Sequence, residues 1–210
     1  MKCIVCESAA IEIFDVIDQK KYWKCSICLA KFMDKTCLPT SIEEKAHYLT
    51  HQNIINDQRY RNFLSKLATP LRNKISKGDK GLDYGCGHGP ALVDMLKSNG
   101  FDMDLYDPFF FPNKYIFSKT YDFISCTEAV EHFFYPSREF CKLNSLIKKH
   151  GWLGIMTCFM TSDQFFKNWY YRRDPTHVVF YCEQTFEVIS KKLDWTYEIV
   201  SKDIVLLQKN

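Results

Sequence analysis

From about residue 80 the chain alternates short apolar segments with segments whose apolar residues recur at helical spacing. The predicted strands are KGLDY, DMDLYD, YDFISC and WLGIMTCF, and the predicted helices between them include PALVDMLKS and SREFCKLNSLIKKH. After WLGIMTCF come a helix, TFEVISKKL, and two strands, TYEIV and DIVLLQK, close enough for a hairpin. We therefore expect an α/β domain over residues 80–210, with a mostly parallel sheet, helices on both faces and a C-terminal antiparallel hairpin. Ligands of such sheets bind at the carboxyl ends of the strands.

The preceding residues, 40–79, have the pattern of two helices, SIEEKAHYLTHQN and DQRYRNFLSKLATPLRNKI, which we expect to bridge two domains. Ser41 followed by Glu44 predicts a capping box at the start of the first helix. His47 and His51 are four residues apart, a spacing that can hold a metal ion on a helix, but no third ligand is apparent. We expect packing or surface histidines, with His51 facing a substrate pocket as an alternative.

Residues 1–39 contain two Cys-x2-Cys pairs, Cys3 with Cys6 and Cys25 with Cys28. Between the pairs, the apolar alternation of IEIFDVID and KKYWKC predicts two strands. Four thiolates can bind Zn²⁺ tetrahedrally, and the metal supplies folding energy that so short a segment lacks. We expect a small zinc-ribbon-like module, with free thiols in a hairpin as the alternative. A thioredoxin-like redox role is disfavoured because neither pair opens a helix in a strand-helix-strand unit.

The composition of the 210 residues fits a folded globular chain with 46% hydrophobic residues and one sizeable core. The formal net charge of +3 is too balanced to indicate nucleic-acid or membrane binding by electrostatics alone, and no DNA partner is expected. Neither a signal peptide nor an apolar run long enough to span a membrane is recognisable. We expect a cytoplasmic protein, in which clustered cysteines usually bind metal.

A glycine-rich turn, GLDYGCGHGP at residues 81–90, follows the first predicted strand of the α/β domain. A phosphate-binding P-loop requires Lys-Ser or Lys-Thr after the last glycine, whereas Pro90 and Ala91 stand there. A dinucleotide fold uses Gly-x-Gly-x-x-Gly, and here the spacing is Gly-x-Gly-x-Gly, which weakens that interpretation without excluding it. The turn alone is therefore weak evidence, because glycines at a strand end also serve tight packing.

The turn and its neighbours resemble the class I S-adenosylmethionine-dependent methyltransferases, whose first motif is an acidic residue, a spacer and Gly-x-Gly-x-Gly. Asp107 ends the second strand, where that family binds the ribose hydroxyls of the cofactor, and YDFISCTEAVEHF resembles its fourth strand and the following loop. The resemblance implies a Rossmann-like fold and S-adenosylmethionine as cofactor. It also implies these cofactor-binding candidates: Asp83, Tyr84, Gly85, Cys86, Gly87, Gly89, Asp107, Pro108, Phe109, Cys126, Thr127 and Glu128. Only fourteen residues separate Asp107 from Asp122, so FFFPNKYIFSKT must replace the family's usual helix and third strand in reduced form.

Two histidines are candidates for a general base that removes a proton from the methyl acceptor, because histidine titrates near neutrality. His132 lies just past the fourth strand, where a packing role is the alternative, and His177 lies in NWYYRRDPTHVVFY. The Asp-Pro-x-His part of this stretch is similar to one in the quinone-biosynthesis O-methyltransferases. Arginines beside aromatic residues suit an anionic or planar substrate, although a surface loop held by Arg–Asp pairs is also possible. The substrate-binding candidates are Tyr171, Arg172, Arg173, His177 and Tyr181.

Three function classes stay open, and we favour a methyltransferase that acts on a small-molecule acceptor. A zinc ribbon before a methyltransferase domain also resembles the large-subunit rRNA guanine methyltransferases, and Lys20, Lys21, Lys24 and Lys31 suit phosphate contacts. Acidic residues dilute that charge, so RNA is the second choice. The third class is a non-catalytic regulator that binds the cofactor and uses the zinc module for protein docking.

Overall fold

The computed structural model describes residues 1–210 and consists of two sheets, five α-helices and several short 3₁₀ turns. The strands are β1 (Ile11–Ile17), β2 (Lys20–Cys25), β3 (Lys31–Met33), β4 (Lys80–Tyr84), β5 (Asp102–Tyr106), β6 (Tyr121–Thr127), β7 (Ile147–Met156), β8 (Val179–Phe180), β9 (Trp195–Ser201) and β10 (Ile204–Lys209). The helices are α1 (Ser41–Tyr48), α2 (Gln58–Arg72), α3 (Ala91–Ser98), α4 (Pro136–Leu146) and α5 (Glu183–Leu193).

The larger sheet has six strands in the order β5-β4-β6-β7-β10-β9. The pairs formed by β5, β4, β6 and β7 are parallel, whereas β10 pairs antiparallel with both β7 and β9. The expected mostly parallel α/β sheet with a C-terminal antiparallel hairpin is confirmed. Because the strand order reverses at β4, a crevice forms beyond the carboxyl ends of β4, β5 and β6, where ligands of such folds bind.

Helices cover both faces of this sheet, as the alternating pattern predicts. On one face, α2 and α3 pack Leu67, Leu71 and Leu96 against strand residues such as Phe123 and Leu206. On the other face, α4 and α5 pack their apolar sides, which include Phe140, Leu143, Phe186 and Ile189, against the opposite side chains of the same strands. Burying the strands on both faces explains why their sequences read as nearly continuous apolar runs.

The smaller sheet joins the N-terminal strands to the second half of the chain, in the order β1-β2-β3-β8. The sequence predicted β1 and β2, but β8 contributes only two residues and was not recognisable. Lys31 pairs with Phe180 and Phe32 with Val179 across β3 and β8. The cysteine-bearing segment is thus paired, through β3, with a strand that lies between β7 and β9 of the large sheet in the chain.

Three local expectations differ from the structure. The capping box of α1 uses Thr40 and Glu43 rather than Ser41 and Glu44, with the Thr40 N–H donating to Glu43 Oε2 at 2.7 Å. The predicted helix SREFCKLNSLIKKH ends at Leu146, because Ile147 is already extended and pairs with Tyr121 in the sheet. The segment after β5 forms no strand and only a 3₁₀ turn, Lys114–Ser118.

None of the five α-helices has both the length and the hydropathy that a membrane-spanning segment requires.

The packing of α2 on the sheet predicts the effect of a core truncation. Leu67 is fully buried and contacts β7 so closely that a methyl group added to Gly154 comes within 3.0 Å of Leu67 Cδ1. We expect Leu67→Ala to lower the free energy of unfolding by about 2–5 kcal/mol, since it leaves a cavity against a rigid sheet. Urea unfolding measures this change. Ile42→Ala, at a side chain that is 82% exposed, is the control and should alter stability by less than about 0.5 kcal/mol; equal effects of the two substitutions contradict this packing.

Candidate functional site

A cavity of about 1020 Å³ lies beyond the carboxyl ends of β4, β5 and β6. Its floor is the glycine turn after β4, one wall is formed by the ends of β5 and β6, and the opposite wall is formed by α1 and by the segment around residues 170–177. This volume is at the upper end of the range for small-molecule sites in proteins. The cavity is large enough to hold two ligands side by side.

The glycine turn has a backbone conformation that requires two of its glycines. Gly85 and Gly87 have φ angles of +82° and +62°, which L-residues with a side chain rarely adopt. A Cβ on Gly85 would lie 2.6 Å from Ala129 Cβ, and one on Gly89 would lie 1.7 Å from the carbonyl oxygen of Asn53. The turn is therefore packed tightly between the loop after β6 and the loop that precedes α2.

Asp107 ties the glycine turn to the end of β5. Its Oδ2 accepts a hydrogen bond from the Gly87 N–H at 3.0 Å, and its Oδ1 accepts from the N–H groups of Phe109 and Phe110 at 2.8 and 3.0 Å. A carboxylate held by several backbone donors has a fixed orientation. Asp107 is also one of the residues that line the cavity.

Asp83 lies below the turn and is 4% exposed. Ser125 Oγ–H donates a hydrogen bond to its Oδ1 at 2.7 Å. Burial raises the pKa of Asp83 to about 7, against the opposing effect of the Ser125 hydrogen bond. The carboxyl group is therefore poised to exchange a proton near neutral pH.

The opposite wall is organised by Glu131, a fully buried carboxylate. Tyr171 O–H donates to Glu131 Oε1 at 2.6 Å and Thr157 O–H donates to Oε2 at 2.9 Å. Burial raises the pKa of Glu131, whereas His177 and the two hydroxyl donors act in the opposite direction. Each oxygen of the carboxylate thus has a partner, as a buried charge requires.

His132 and His177 face the same cavity, and their ring centroids are 4.7 Å apart. His132 Nδ1 is 3.0 Å from the Thr176 carbonyl oxygen and His177 Nδ1 is 2.7 Å from that of Tyr171, so each Nδ1 carries the proton and donates it. Burial lowers the pKa of His132 to about 3, with a further contribution from His177. His177 Nε2 lies 3.9 Å from Glu131 Oε1 and 3.8 Å from Asp174 Oδ2. Two carboxylates thus lie within 4 Å of His177 Nε2.

A second group of polar side chains lies beside these histidines. His47 Nε2 is 2.9 Å from Asp174 Oδ2, and the ring centroids of His47 and His51 are 5.2 Å apart. Burial opposes ionisation of Asp174, but His177, Thr176 and His47 outweigh it and hold the pKa of Asp174 well below its usual range. All three side chains line the cavity, so the alternative prediction for His51 agrees with its place in the structure.

Most of the residues that the sequence singled out line this cavity. They are Asp83, Tyr84, Gly85, Cys86, Gly87, Gly89, Asp107, Pro108, Phe109, Thr127, Glu128, His132, Tyr171, Arg173 and His177. Thr127 Oγ1 is buried without a hydrogen-bond partner of its own. Glu128 adopts a φ of +46°, a strained conformation for a residue with a side chain.

Three candidates lie outside the cavity, which corrects the sequence interpretation. Cys126 is fully buried in the core, because alternation along β6 turns it to the face opposite Ser125 and Thr127. Arg172 is turned to the N-terminal hairpin, where its guanidinium donates to Asp18 Oδ2 at 3.0 Å. Tyr181 is fully buried and donates its hydroxyl to the Val130 carbonyl oxygen at 2.9 Å.

Several residues of the cavity walls, and Glu131 behind them, are not among the candidates predicted from the sequence. Tyr48 packs edge-on against His132 and contacts the ring of Phe109, so it connects the two sides of the cavity. Glu131 and Asp174 were each one to three residues from a chosen histidine, yet they were given no role. The signal that could have found them is the rule that a histidine used in chemistry is oriented by a carboxylate.

The four N-terminal cysteines converge as the paired spacing predicts. The Sγ atoms of Cys3 and Cys28 are 3.6 Å apart, as are those of Cys6 and Cys25, and all four lie within 4.8 Å of one another. A tetrahedral zinc ion with Zn–S bonds of about 2.3 Å places its sulfur ligands about 3.8 Å apart. The donor set therefore fits a zinc ion.

Comparison with known proteins gives a family and a fold. Residues 52–200 match the family model described as "Methyltransferase domain". A magnesium protoporphyrin IX methyltransferase from Synechocystis PCC 6803, solved with bound S-adenosylhomocysteine, superposes with a TM-score of 0.51 at 12% identity, over 84% of this chain and 100% of that one. An O-methyltransferase family protein from Burkholderia thailandensis gives a TM-score of 0.51 at 11% identity, over 84% of this chain and 65% of that one. No curated protein matches the sequence. These similarities establish the Rossmann-like methyltransferase fold.

The buried Asp83 predicts a pH dependence of stability. Its pKa is raised from 3.8 to about 7 on folding, so the folded state binds more protons than the unfolded state between these values. Its contribution therefore makes stability fall as the pH rises from about 4 to about 7. We expect Asp83→Asn to gain stability relative to the wild type across this window, as measured by urea unfolding at several pH values.

Ser125→Ala is the matched variant for this prediction. It removes the donor that lowers the pKa of Asp83, so the fall in stability should move to higher pH. Parallel pH profiles for the wild type and Asp83→Asn contradict the prediction.

Proposed function

The chain belongs to the methyltransferase-domain family, and on this basis we propose that it transfers a methyl group from S-adenosylmethionine to a small-molecule acceptor. The observation that carries the proposal is the single cavity whose floor is the glycine turn and whose far wall carries the two histidines. Cofactor and acceptor would bind in the same cavity, with no protein segment between them. Bringing the two reactants together in a fixed orientation supplies much of the rate enhancement of such a transfer.

The residues on the floor of the cavity fit the cofactor. The glycine turn allows close approach of a ligand to its backbone, and Asp107 has carboxylate lone pairs for the two vicinal hydroxyls of a ribose. The unpaired Thr127 Oγ1 is a further hydrogen-bonding group at the end of β6. No lysine or arginine occurs in the turn, which suits a ligand without phosphate. Bound there, S-adenosylmethionine would supply an electrophilic methyl group on a sulfonium, and S-adenosylhomocysteine would be the leaving group.

We assign the role of general base to His177 rather than His132. The low pKa of His132, about 3, keeps that imidazole neutral and makes it a weak base near pH 7. His177 holds its own proton on Nδ1 by donating to Tyr171, which leaves the Nε2 lone pair for a proton from the acceptor. Glu131 and Asp174 stabilise the imidazolium that results.

The walls of the cavity favour a small acceptor with apolar or aromatic parts. Aromatic rings of Tyr48, Phe109, Phe134, Tyr135 and Tyr170 line it. Of the arginines that the sequence offered for an anionic substrate, only Arg173 lines the cavity, because Arg172 is paired with Asp18. Enclosed aromatic walls bind compact molecules better than a nucleic-acid backbone, for which extended basic surface is needed.

Cofactor binding is the first test of the proposal. Calorimetry should show S-adenosylmethionine binding to the wild type and at least about tenfold weaker binding to Asp107→Ala, since a hydrogen bond to a charged group contributes about 1.5–3 kcal/mol. Gly85→Arg should abolish binding, because even a Cβ there meets Ala129 at 2.6 Å. Asp122→Asn, at the opposite end of β6, is the control, and circular dichroism checks that each variant is folded. Undiminished affinity in Asp107→Ala and Gly85→Arg refutes the proposed site.

Methyl transfer is tested by a screen for S-adenosylhomocysteine formation with metabolite pools, RNA and protein extract. The proposal expects product with a small-molecule fraction, and with that fraction His177→Gln should reduce kcat by about 10²-fold or more. Product with RNA alone, lost steeply as salt rises, overturns the small-molecule assignment. Cofactor binding without product from any fraction overturns catalysis and leaves the non-catalytic regulator.

We further propose that Cys3, Cys6, Cys25 and Cys28 bind one Zn²⁺ as a structural site. The support is the tetrahedral fit of the four sulfurs and the burial of Cys3, Cys25 and Cys28. Four protein ligands would leave no open position for a substrate. Residues of β3 that follow this site pair with β8, so the metal would stiffen the wall of the cavity from outside.

Metal analysis tests the zinc site directly. Cys3→Ser and Cys25→Ser should each lose the cysteine-bound equivalent of zinc and lower the melting temperature, because metal binding supplies folding energy to this segment. Cys141→Ser is the matched control at an exposed cysteine and should retain the metal. Unchanged zinc content in Cys3→Ser and Cys25→Ser contradicts the site.

A further inference from the structure

Three cavity residues that the methyl-transfer proposal does not assign to the cofactor have ligand atoms close to a common point. They are His47, His51 and Asp174, and one ligand atom from each lies within 4.8 Å of those of the other two. Two imidazole nitrogens and one carboxylate oxygen are a donor set that binds zinc and related transition-metal ions. The spacing of His47 and His51 in the sequence already suggested two ligands on one helix. The third donor, Asp174, lies 127 residues after His47 and comes close only in the folded chain.

The backbone holds both histidines on the same side of α1. His47 lies in the last turn of the helix, and the chain continues in a turn in which the Thr50 N–H donates to the His47 carbonyl and the His51 N–H donates to that of Tyr48. The two rings therefore stack one turn apart, edge to face. Neither side chain has to move far for both to reach one ion.

Asp174 is oriented by hydrogen bonds to one of its oxygens. The N–H and the hydroxyl of Thr176 donate to Oδ1 at 2.8 and 2.6 Å, so Oδ2 is the oxygen turned to His47. Metal-ligating carboxylates are typically held in this way by groups around them. The 2.9 Å between Asp174 Oδ2 and His47 Nε2 is a hydrogen-bond distance, and in a tetrahedral site with bonds of about 2.0–2.1 Å the two atoms would lie about 3.3 Å apart. Binding of an ion would therefore need a separation of about 0.4 Å, which is a small movement.

A neighbouring trio, Glu131, His132 and His177, has equally close ligand atoms but is less suited to a cation. Both oxygens of Glu131 already accept hydroxyl hydrogen bonds from Tyr171 and Thr157. His51, in contrast, is exposed to the cavity and its ring nitrogens make no hydrogen bond within the protein. A simple His47–Asp174 hydrogen bond leaves the position of His51 unexplained.

We propose that His47, His51 and Asp174 bind one divalent transition-metal ion of the zinc class in the wall of the cavity. With three protein ligands, a fourth coordination position would stay open, as in catalytic zinc sites, and all three residues line the cavity. Resting on the proposed function, an ion there would polarise a hydroxyl group of the acceptor. The acceptor O–H bond would break with its proton passing to His177 Nε2, the oxygen lone pair would form the bond to the methyl carbon, and the methyl–sulfur bond would break with its electron pair left on S-adenosylhomocysteine. With Asp174 bound to the ion, Glu131 would be the carboxylate that pairs with protonated His177, since its Oε1 lies 3.9 Å from His177 Nε2.

The test is a calorimetric titration with ZnCl₂ of protein that already holds its cysteine-bound zinc, checked by metal analysis. The wild type should bind one further equivalent, and His51→Gln and Asp174→Asn should bind it at least about tenfold more weakly. His150→Asn, at an exposed histidine outside the cavity, is the control and should behave as the wild type. Thermal unfolding and S-adenosylmethionine affinity of the variants separate loss of the ion from loss of the fold.

Acetohydroxamate, a small oxygen-donor ligand for zinc, probes the open position. It should bind the zinc-loaded wild type at least about tenfold more tightly than zinc-treated His51→Gln. The proposal is overturned if no second equivalent binds, if that equivalent persists in both His51→Gln and Asp174→Asn, or if it is lost only in His132→Gln. These measurements do not depend on methyl transfer. A negative result for the cation site therefore leaves the methyltransferase proposal intact, and a protein without methyltransferase activity can still bind the cation.

Discussion

The buried carboxylate of Glu131 is the constraint on which the arrangement of the cavity depends. A charge removed from water must be paired, and Glu131 is paired by Thr157 just after β7 and by Tyr171 from the segment that closes the cavity. The backbone of the same residue accepts the Val178 N–H, which fixes the chain directly before β8. One residue thus connects the large sheet, the cavity wall that carries Tyr171 and His177, and the strand that joins the small sheet.

The two sides of the cavity are stabilised differently, in keeping with what each has to do. On the cofactor side the donors and acceptors are backbone groups around Asp107, so a ligand there meets a surface fixed by main-chain geometry. On the side that carries the two histidines, the surface is made of side chains. His132 and His177 are oriented by carbonyl oxygens, and Tyr48 packs between the walls. A main-chain surface suits a constant cofactor, whereas a side-chain surface can be altered to suit a particular acceptor.

The sequence predicted those features that depend on local pattern. Parallel strands buried on both faces, the glycine turn and Asp107 at a strand end follow from apolar runs and from the geometry of such sheets. Alternation could also have excluded Cys126, because Ser125 and Thr127 flank it on the opposite face of β6. Arg172 was beyond prediction, since its partner Asp18 lies 154 residues away in the N-terminal hairpin. The same holds for Asp174 beside His47, a contact that only the packing of α1 on the distant segment creates.

The cysteine module contacts the part of the chain that directly follows one wall of the cavity. Residues 170–177 line the cavity, β8 follows and pairs with β3, and the Cys28 carbonyl oxygen accepts a hydrogen bond from Thr185 Oγ at the start of α5. The chain between this wall and α5 is therefore held at both ends by contacts with residues 28–33, which follow Cys25 and include Cys28. A metal at the four sulfurs would stabilise this region. The N-terminal residues thus support the segment that carries His177 and Asp174, although none of residues 1–39 lines the cavity.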